Sequence, residues 1–322
     1  MAGERIALLF PGQGSQAVGM GRDLAERFPA ARAVFDQADE ALGFALSRLM
    51  WDGPAEELTL TANAQPALLT HSAAVWAVLR EADLDVVCAA GHSLGEFSAY
   101  HAAGSMSFAD AVRTVRRRGE LMLEGGRARP GTMAAVLGLD DEVVEGVCRE
   151  ASTDESVVVP ANFNTPGQVV VSGDTDAVER VGPMLVSAGA KKVQPLTVSG
   201  AFHSPLMRVA EGGLRAQLES IDFRDPAFAV VSNVTAHAVT EASEARTLLV
   251  DQLTSPVQWT QSVRTMLQMG AERFLEVGAG KVLVGMLKRI DRAAEGRGVA
   301  VGTAEAIEEL MNGGAQDQVP SA

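Results

Sequence analysis

The segment G-H-S-L-G at 91–95 constrains the fold of this chain more than any other part of its sequence. The apolar run 85–90 before it predicts a short buried strand, and 94–103 after it predicts a helix. Glycines on both sides of Ser93 permit the sharp strand-to-helix turn known as a nucleophile elbow. We therefore expect an α/β fold that exposes Ser93 on the turn, beside the free backbone N–H of Leu94 and the positive end of a helix dipole.

A serine on such a turn needs a base, because its hydroxyl is a weak nucleophile at neutral pH. The candidates are His71, His92, His101, His203 and His237. Side chains of adjacent residues on a turn usually diverge, which argues against His92, and His71 and His101 fall within helical patterns. His203 follows a predicted strand, on a loop that can return to the elbow. We favour His203 as the base, with a buried structural histidine as the alternative interpretation.

A second glycine-rich loop, P-G-Q-G-S-Q at 11–16, follows a predicted first strand at 6–10. Its glycine spacing is a partial dinucleotide fingerprint, but 36–42, where an acidic residue should end a second strand, has a helical pattern. We expect this loop instead to supply a second N–H group to an oxyanion. The segment V-G-A-G-K-V at 277–282 lacks the spacing of a phosphate-binding P-loop, and the sequence contains no metal-ligand spacing.

The middle of the chain has a different organisation. From Thr132 onward the predicted elements follow the order strand, helix, strand, strand, helix, strand, which is typical of a ferredoxin-like unit. We predict a ferredoxin-like subdomain at 130–197, inserted into a discontinuous α/β-hydrolase-like catalytic domain formed by 1–129 and 198–322. The last residues, 312–322, lack apolar periodicity and are predicted to form a disordered tail.

Composition excludes several classes of function. A formal net charge of −14 argues against nonspecific nucleic-acid binding, which requires a basic surface. No run approaches the roughly 18 apolar residues of a membrane span, and the start of the chain does not resemble a secretory leader. Cys88 and Cys148 fall in a predicted strand and a predicted helix, which argues against a disulfide framework. We expect a cytoplasmic protein with no membrane association.

Nine segments in order cover nearly the whole chain and carry a family resemblance: FPGQGSQ (10–16), QPALLT (65–70), GHSLGE (91–96), RRGELM (117–122), NFNTPGQVVVSG (162–173), AFHSPLM (201–207), SNVTA (232–236), PVQWT (256–260) and EVGAGKVL (276–283). They resemble the malonyl-CoA:acyl carrier protein transacylase family and the related acyltransferase domains of fatty acid and polyketide synthases. The resemblance implies the same architecture, a hydrolase-like large domain with a ferredoxin-like insertion.

The resemblance also implies roles for single residues. Ser93 is the acylated nucleophile and His203 is its base, while the N–H groups of Gln13 and Leu94 form the oxyanion hole. In this family a backbone carbonyl, rather than a carboxylate, orients the histidine, and the matching position here is Gln258. A carbonyl can do this because it fixes which ring nitrogen carries the proton.

Arg118 matches the family residue that binds the free carboxylate of a malonyl group. Chemistry supports an arginine, because its planar fork meets a carboxylate through two parallel hydrogen bonds. Phe202 has the bulky form that accompanies malonyl rather than methylmalonyl selectivity. Further contacts are predicted from Met122 and Asn162 to the acyl group, and from Lys191 and Lys192 to CoA or the carrier protein.

The implied reaction is ping-pong transfer of malonyl from CoA to the phosphopantetheine thiol of acyl carrier protein. It requires no bound cofactor or metal, and we expect a monomer. Three alternatives stay open: a discrete acyltransferase that serves a polyketide assembly line in trans, a serine thioesterase or esterase, and a noncatalytic scaffold that binds carrier protein. An esterase should have an apolar pocket without arginine and an acidic triad member, and a scaffold should lack the nucleophile or the base.

Overall fold

The computed structural model describes residues 3–316, with side chains described as far as residue 312. Its strands, in chain order, are β1 Arg5–Phe10, β2 Asp85–Gly91, β3 Gly131–Leu137, β4 Val158–Thr165, β5 Gln168–Asp174, β6 Lys192–Pro195, β7 Ala229–Val231, β8 Ala238–Val239, β9 Arg273–Glu276 and β10 Gly298–Ala300. They form two separate sheets, one of six strands and one of four.

The helices surround these sheets. In chain order they are α1 Arg22–Arg27, α2 Pro29–Leu42, α3 Leu46–Asp52, α4 Ala55–Thr59, α5 Thr61–Leu79, α6 Gly95–Ala102, α7 Phe108–Ala128, α8 Asp141–Ala151, α9 Thr175–Ser187, α10 Arg208–Glu219, α11 Ala242–Asp251, α12 Trp259–Gln268, α13 Val282–Ile290 and α14 Ala304–Gln316. None of these described helices combines the length and the apolar character needed to cross a membrane.

The six-stranded sheet has the order β10-β9-β1-β2-β7-β8 and is parallel except for β8. Strand β1 is buried on both faces: Ile6 and Leu8 pack into one apolar core and Ala7 and Leu9 into another. This explains its continuous apolar sequence, because helices cover both faces of such a sheet. In the register of β1 with β2, Phe10 lies opposite Gly91, so the glycine-rich loop and the elbow leave the same edge of the sheet.

The four-stranded sheet is antiparallel, with the order β4-β5-β3-β6, and α8 and α9 connect its strands in the order β-α-β-β-α-β. Alternation along β5 explains how it is placed. Val169 and Val171 point into a core shared with α8 and α9, whereas Val170 joins the main core of the molecule. The four-stranded sheet therefore has its helices on one face and packs against the main core of the molecule with the other.

The helical pattern at 36–42 belongs to α2, which ends at Leu42 before the chain turns at Gly43. One sequence-based prediction needs revision. The predicted disordered tail at 312–322 begins too early, since α14 continues to Gln316. The remainder of that tail, 317–322, lies outside the described residues.

Candidate active site

Ser93 lies on a tight turn between β2 and α6, as the elbow motif predicts. Its φ of 51° is in the left-handed region, which non-glycine residues adopt at a cost in backbone strain. The flanking glycines are required by close approach. A Cβ on Gly91 would lie 1.9 Å from the carbonyl carbon of Gly95, and a Cβ on Gly95 would lie 2.1 Å from the carbonyl oxygen of Phe10.

The side chain of Asn233, which is distant in sequence, forms hydrogen bonds with this strained turn. The N–H of Ser93 donates to Asn233 Oδ1 at 2.7 Å, and Asn233 Nδ2 donates to the carbonyl oxygen of Gly91 at 2.7 Å. One buried amide thus satisfies both backbone groups that the turn leaves without partners. Sequence reasoning included Asn233 in a family segment but assigned it no role.

His203 reaches the elbow from the loop after β6, as predicted. Its Nε2 lies 2.8 Å from Ser93 Oγ, and its Nδ1 lies 2.9 Å from the carbonyl oxygen of Gln252. The carbonyl can only accept a hydrogen bond, so Nδ1 carries the proton and Nε2 is free to accept from the serine hydroxyl. His203 also has a left-handed φ, of 56°.

The prediction that the Gln258 carbonyl orients His203 is wrong, because the Gln252 carbonyl occupies that position. Gln258 is the N-cap residue of α12, and its carbonyl accepts from the N–H and Oγ of Ser262. The first turn of that helix therefore uses the carbonyl that was predicted for the histidine. Gln252 falls between the family segments at 232–236 and 256–260, so no motif indicated it.

The base is neutral at physiological pH. Burial, and after it the charge of Arg118, lower the pKa of the His203 imidazole to about 3, although the hydrogen bond to the Gln252 carbonyl raises it. A neutral imidazole is the form that can accept a proton from the serine hydroxyl. The low pKa also ensures that a proton taken from Ser93 is readily given up to a leaving group.

Arg118 lies on the inward face of α7 and is only 1% exposed, whereas the side chain of Arg117 beside it is 41% exposed. The spacing accounts for this, because Arg118 follows the buried residues Ala111 and Val115 by seven and three positions. Among the arginines at 113–118, Arg118 is therefore the buried one. Helical periodicity alone could have identified it as the buried member.

The guanidinium of Arg118 is directed at the nucleophile. Nη2 donates to Ser93 Oγ at 3.1 Å and to Gln252 Oε1 at 2.8 Å, and Nη1 donates to Gln65 Oε1 at 2.8 Å. All these partners are neutral, and the group lies 5.4 Å from the ring centroid of Phe97. Burial lowers the pKa of Arg118 to about 10, against the raising effect of Glu96, so it carries a full positive charge at neutral pH.

Gln252 connects these groups. Its carbonyl accepts from His203, its Oε1 accepts from Arg118, and its Nε2 donates both to the carbonyl oxygen of Ser93 at 3.0 Å and to Glu96 Oε2 at 2.6 Å. Glu96 is completely buried and also accepts from the N–H of Asn233 at 3.2 Å. Hereafter, the buried polar network denotes Ser93, Glu96, Arg118, His203, Asn233 and Gln252.

The predicted oxyanion donors lie on adjoining loops. Leu94 follows the nucleophile as the N-cap residue of α6. The loop that carries Gln13 packs against the elbow, since a Cβ on Gly12 would lie 2.5 Å from the carbonyl oxygen of His92. The N–H of His92 donates to the carbonyl oxygen of Phe10 at 3.0 Å, which holds the two loops together.

The remaining residues predicted to contact the acyl group, CoA or the carrier protein lie in different parts of the structure. Met122 and Phe202 are buried, and Met122 Sδ lies 3.4 Å from Nε2 of Gln65, the same side chain that binds Arg118. Asn162 is buried where β4 bridges to Val257. Lys191 and Lys192 are exposed where β6 begins. His203 follows the other end of this strand, after Pro195. Nothing in the geometry tests their predicted contacts, which stay predictions.

Within residues 3–316, no group of three or more histidine, cysteine or acidic side chains is arranged to hold a metal ion. The chemical groups at the site belong to the protein itself: a hydroxyl, a neutral imidazole hydrogen-bonded to it, and a buried cation beside both. Such an arrangement is suited to acyl transfer through a serine ester.

Comparison with known proteins agrees with this class of chemistry. The family described as "Acyl transferase domain" matches residues 7–306, and the chain belongs to that family. The malonyl CoA-acyl carrier protein transacylase of Bacillus subtilis is 47% identical over 304 residues, which covers 94% of this chain and 95% of that protein. The protein of the same name from Escherichia coli K12 is 47% identical over 89% of this chain and 93% of its own length.

Solved structures are similar over the same extent. The acyl carrier protein S-malonyltransferase of Vibrio cholerae has a TM-score of 0.92 and 43% identity, covering 95% of this chain and all of that one. A malonyl-transacylase in a holo complex with a type II polyketide synthase acyl-carrier protein has a TM-score of 0.91 and 41% identity, covering 96% of this chain and all of that one.

Proposed function

We propose that this chain transfers a malonyl group from malonyl-CoA to the phosphopantetheine thiol of acyl carrier protein. The proposal rests above all on one observation: Ser93 Oγ lies within hydrogen-bond distance of both His203 Nε2 and Arg118 Nη2. The first contact activates a nucleophile, and the second places a buried cation where the free carboxylate of a malonyl group can bind. The names and identities of the similar proteins support the same reaction.

In the first half-reaction, His203 accepts the proton of Ser93 while Oγ attacks the malonyl thioester. Negative charge then develops on the thioester oxygen, and the N–H groups of Leu94 and Gln13 are its proposed donors. The C–S bond breaks, the imidazolium gives its proton to the CoA sulfur, and malonyl-Ser93 remains. Because the Gln252 carbonyl fixes the imidazole, the ring is ready for the reverse proton movements.

In the second half-reaction, the carrier's pantetheine thiol gives its proton to His203 and attacks the serine ester. Collapse of the tetrahedral intermediate returns the proton to Ser93 and releases the malonyl thioester. Arg118 contributes in both halves, since Nη2 and Nη1 form the planar fork that holds a carboxylate and so fixes the acyl group. Neither half-reaction as proposed needs a bound cofactor.

The architecture is part of the proposal. We assign 1–129 and 198–322 to an α/β-hydrolase-like catalytic domain and 130–197 to a ferredoxin-like subdomain. The parallel strands beside the elbow and the β4-β5-β3-β6 order support these assignments. The loop that carries His203 directly follows the small domain, so the base is delivered from the boundary between the two. A cytoplasmic site of action agrees with the free thiols of Cys88 and Cys148.

We expect malonyl-CoA to be preferred over methylmalonyl-CoA, because the bulky side chain of Phe202 precedes the base and is buried in the main core. Steady-state kinetics with each CoA ester and one carrier protein test this expectation. Comparable kcat/KM values for the two esters would contradict it. Phe202→Ser should then narrow the preference without abolishing malonyl transfer.

Intact-mass measurement tests the reaction itself. Wild type mixed with malonyl-CoA should gain one malonyl adduct, Ser93→Ala should gain none, and holo carrier protein should discharge the adduct faster than water does. Discharge by water at the same rate would instead indicate a thioesterase, and an unmodified wild type would indicate a scaffold. Repeating the discharge with carrier proteins of fatty acid and polyketide type distinguishes the two transferase roles.

A further inference from the structure

Glu96 is a buried carboxyl group that the proposed reaction does not use. It is fully buried in the first turn of α6, and one amide group separates it from the carboxylate-binding arginine: Gln252 Nε2 donates to Glu96 Oε2, and Arg118 Nη2 donates to Gln252 Oε1. Buried ions are costly without a partner of opposite charge. Glu96 and Arg118 thus neutralise each other across the amide.

We propose that Glu96 is the counter-ion of Arg118, and that it takes up a proton when the carboxylate of the acyl group binds to Arg118. This inference rests on the proposed function, since it requires an acyl group with a second, free carboxylate. Without substrate and with Glu96 ionised, the buried pair has a net charge of zero. With a malonyl carboxylate on Arg118 the same region would hold one excess negative charge, and protonation of Glu96 removes it.

The geometry leaves an atom of Glu96 available for this proton. Oε2 accepts from Gln252 and from the N–H of Asn233, whereas Oε1 has no hydrogen-bond partner among the described residues. Protonation at Oε1 therefore breaks no hydrogen bond. A protonated Glu96 still holds Gln252, so the orientation of that amide, and with it Arg118 and His203, is kept in both charge states.

The groups that face Glu96 favour a titration near neutral pH. Burial raises the pKa of the Glu96 carboxyl to about 7, while the contacts with Gln252 and Asn233 and the charge of Arg118 lower it. Tyr100, one turn along α6, is neutral, because burial and the negative charges of Glu96 and Glu244 raise its pKa. When a bound carboxylate offsets the charge of Arg118, the Glu96 pKa must rise further.

The consequence is a specific pH dependence. Malonylation that takes up a proton is favoured at low pH and disfavoured as pH rises through neutrality. The equilibrium constant for malonyl transfer from CoA to Ser93 should fall as pH rises from the Glu96 pKa of the free enzyme to the higher Glu96 pKa of the malonyl-enzyme. The total fall is about tenfold for each unit by which malonylation raises this pKa. His203 does not produce this slope, because its pKa of about 3 leaves it neutral throughout.

The test compares wild type with Glu96→Gln and with Glu244→Gln, a matched change at an exposed residue of α11. The fraction of malonyl-enzyme is measured by intact mass at a fixed ratio of malonyl-CoA to CoA, from pH about 6 to pH about 8. Proton uptake is followed in parallel with an indicator dye in weak buffer. Ionisation of the CoA thiol is common to all three enzymes, so comparison between them removes it.

Wild type and Glu244→Gln should lose malonyl-enzyme as pH rises and take up protons on acylation, and Glu96→Gln should do neither. A Glu96→Gln enzyme with the wild-type slope would overturn the proposal. So would a wild type that is malonylated with no slope, which keeps the test decisive if Glu96→Gln fails to fold. A wild type that is not malonylated at any pH would refute the proposed function, and this inference with it.

Discussion

The four-stranded sheet with α8 and α9, called the small domain below, and the buried polar network stabilise their surroundings in opposite ways. The small domain is held by an apolar core of alternating strand residues and two amphipathic helices, with Val171 and Leu185 among its fully buried members. The network instead buries a charged arginine, an acidic side chain and a histidine, and both this histidine and the half-buried Ser93 have left-handed backbones. Burial of charge and backbone strain are both costly, so this region gives up stability for function.

The difference teaches where substitutions should affect activity and where they should affect folding. Residues of the small-domain core contribute mainly through packing, so their loss should lower stability and leave the chemistry intact. Network residues contribute mainly through orientation and charge at Ser93. Loss of an uncharged member such as His203 should lower activity and have a small or even favourable effect on stability. Loss of Arg118 or Glu96 should also lower stability, because the other charge is then buried without a partner.

The largest effect is expected from His203→Ala. Removal of the base should slow acylation of Ser93 by malonyl-CoA by about 10³-fold or more, because the serine hydroxyl is then no longer activated. The same variant should be nearly as stable as wild type, since it removes an imidazole that is buried at a cost. Rapid-quench acylation and urea unfolding measure the two quantities. A stability loss as large as the activity loss would end the distinction between the two regions.

Leu185→Ala in α9 is the opposite case. Truncation of this fully buried side chain should lower the free energy of unfolding by about 2–5 kcal/mol through lost packing and a residual cavity. The ratio of malonyl to acetyl transfer should stay at its wild-type value, because no network residue is touched. Urea unfolding followed by circular dichroism gives the first quantity, and kcat/KM with the two CoA esters gives the second. An altered ratio would mean that the small-domain core helps to shape the acyl site.

Arg118→Ala sharpens the comparison within the network. We expect a loss of about 2–4 kcal/mol in kcat/KM for malonyl-CoA, because a buried pair of the guanidinium with the substrate carboxylate is lost. Acetyl-CoA has no free carboxylate and should be affected far less. Parallel kinetics with both esters measure the difference. Equal losses for the two would argue against the carboxylate role and favour a general structural role for Arg118.

The smallest expected effect is that of pH on the rate of Ser93 acylation by acetyl-CoA. If His203 had an ordinary pKa of about 6.5, the rate of single-turnover acylation would fall about tenfold at pH about 5.5. Protonation of Nε2 removes the base, so a lowered pKa moves that loss to lower pH. With the pKa of His203 at about 3, the rate with acetyl-CoA should change less than about twofold between pH 7 and pH 5.5. Acetyl-CoA is used because it leaves the charge balance of Arg118 and Glu96 unaltered.

The sequence predicted the order of strands and helices around the four-stranded sheet well, because local patterns define these elements. The apolar run of β5, the turn at 164–167 and two amphipathic helices are each visible within about a dozen residues, and their order alone specifies the sheet. The elbow was equally visible, because the glycines at 91 and 95 are fixed by contacts with near neighbours in sequence or in the adjacent strand.

The part of the site that the sequence did not reveal depends on long-range returns of the chain. Gln252 orients His203 because α11 ends beside the elbow, and no local pattern distinguishes this glutamine from Gln258 six residues later. Asn233 and Glu96 lay within family segments, yet their roles follow only from hydrogen bonds that span more than 130 residues. Such partners can be recognised only in the folded chain.

The position of β1 in the middle of the large sheet has a consequence for synthesis. This strand is synthesised long before one of its two neighbours, β9, which comes from 273–276. Asn233, which binds the N–H of Ser93, and Gln252, whose carbonyl orients His203, are also synthesised long after the elbow. A nascent chain that has produced only the elbow therefore has a serine without an aligned base. It cannot consume thioester until synthesis has passed residue 252, which supplies the orienting carbonyl.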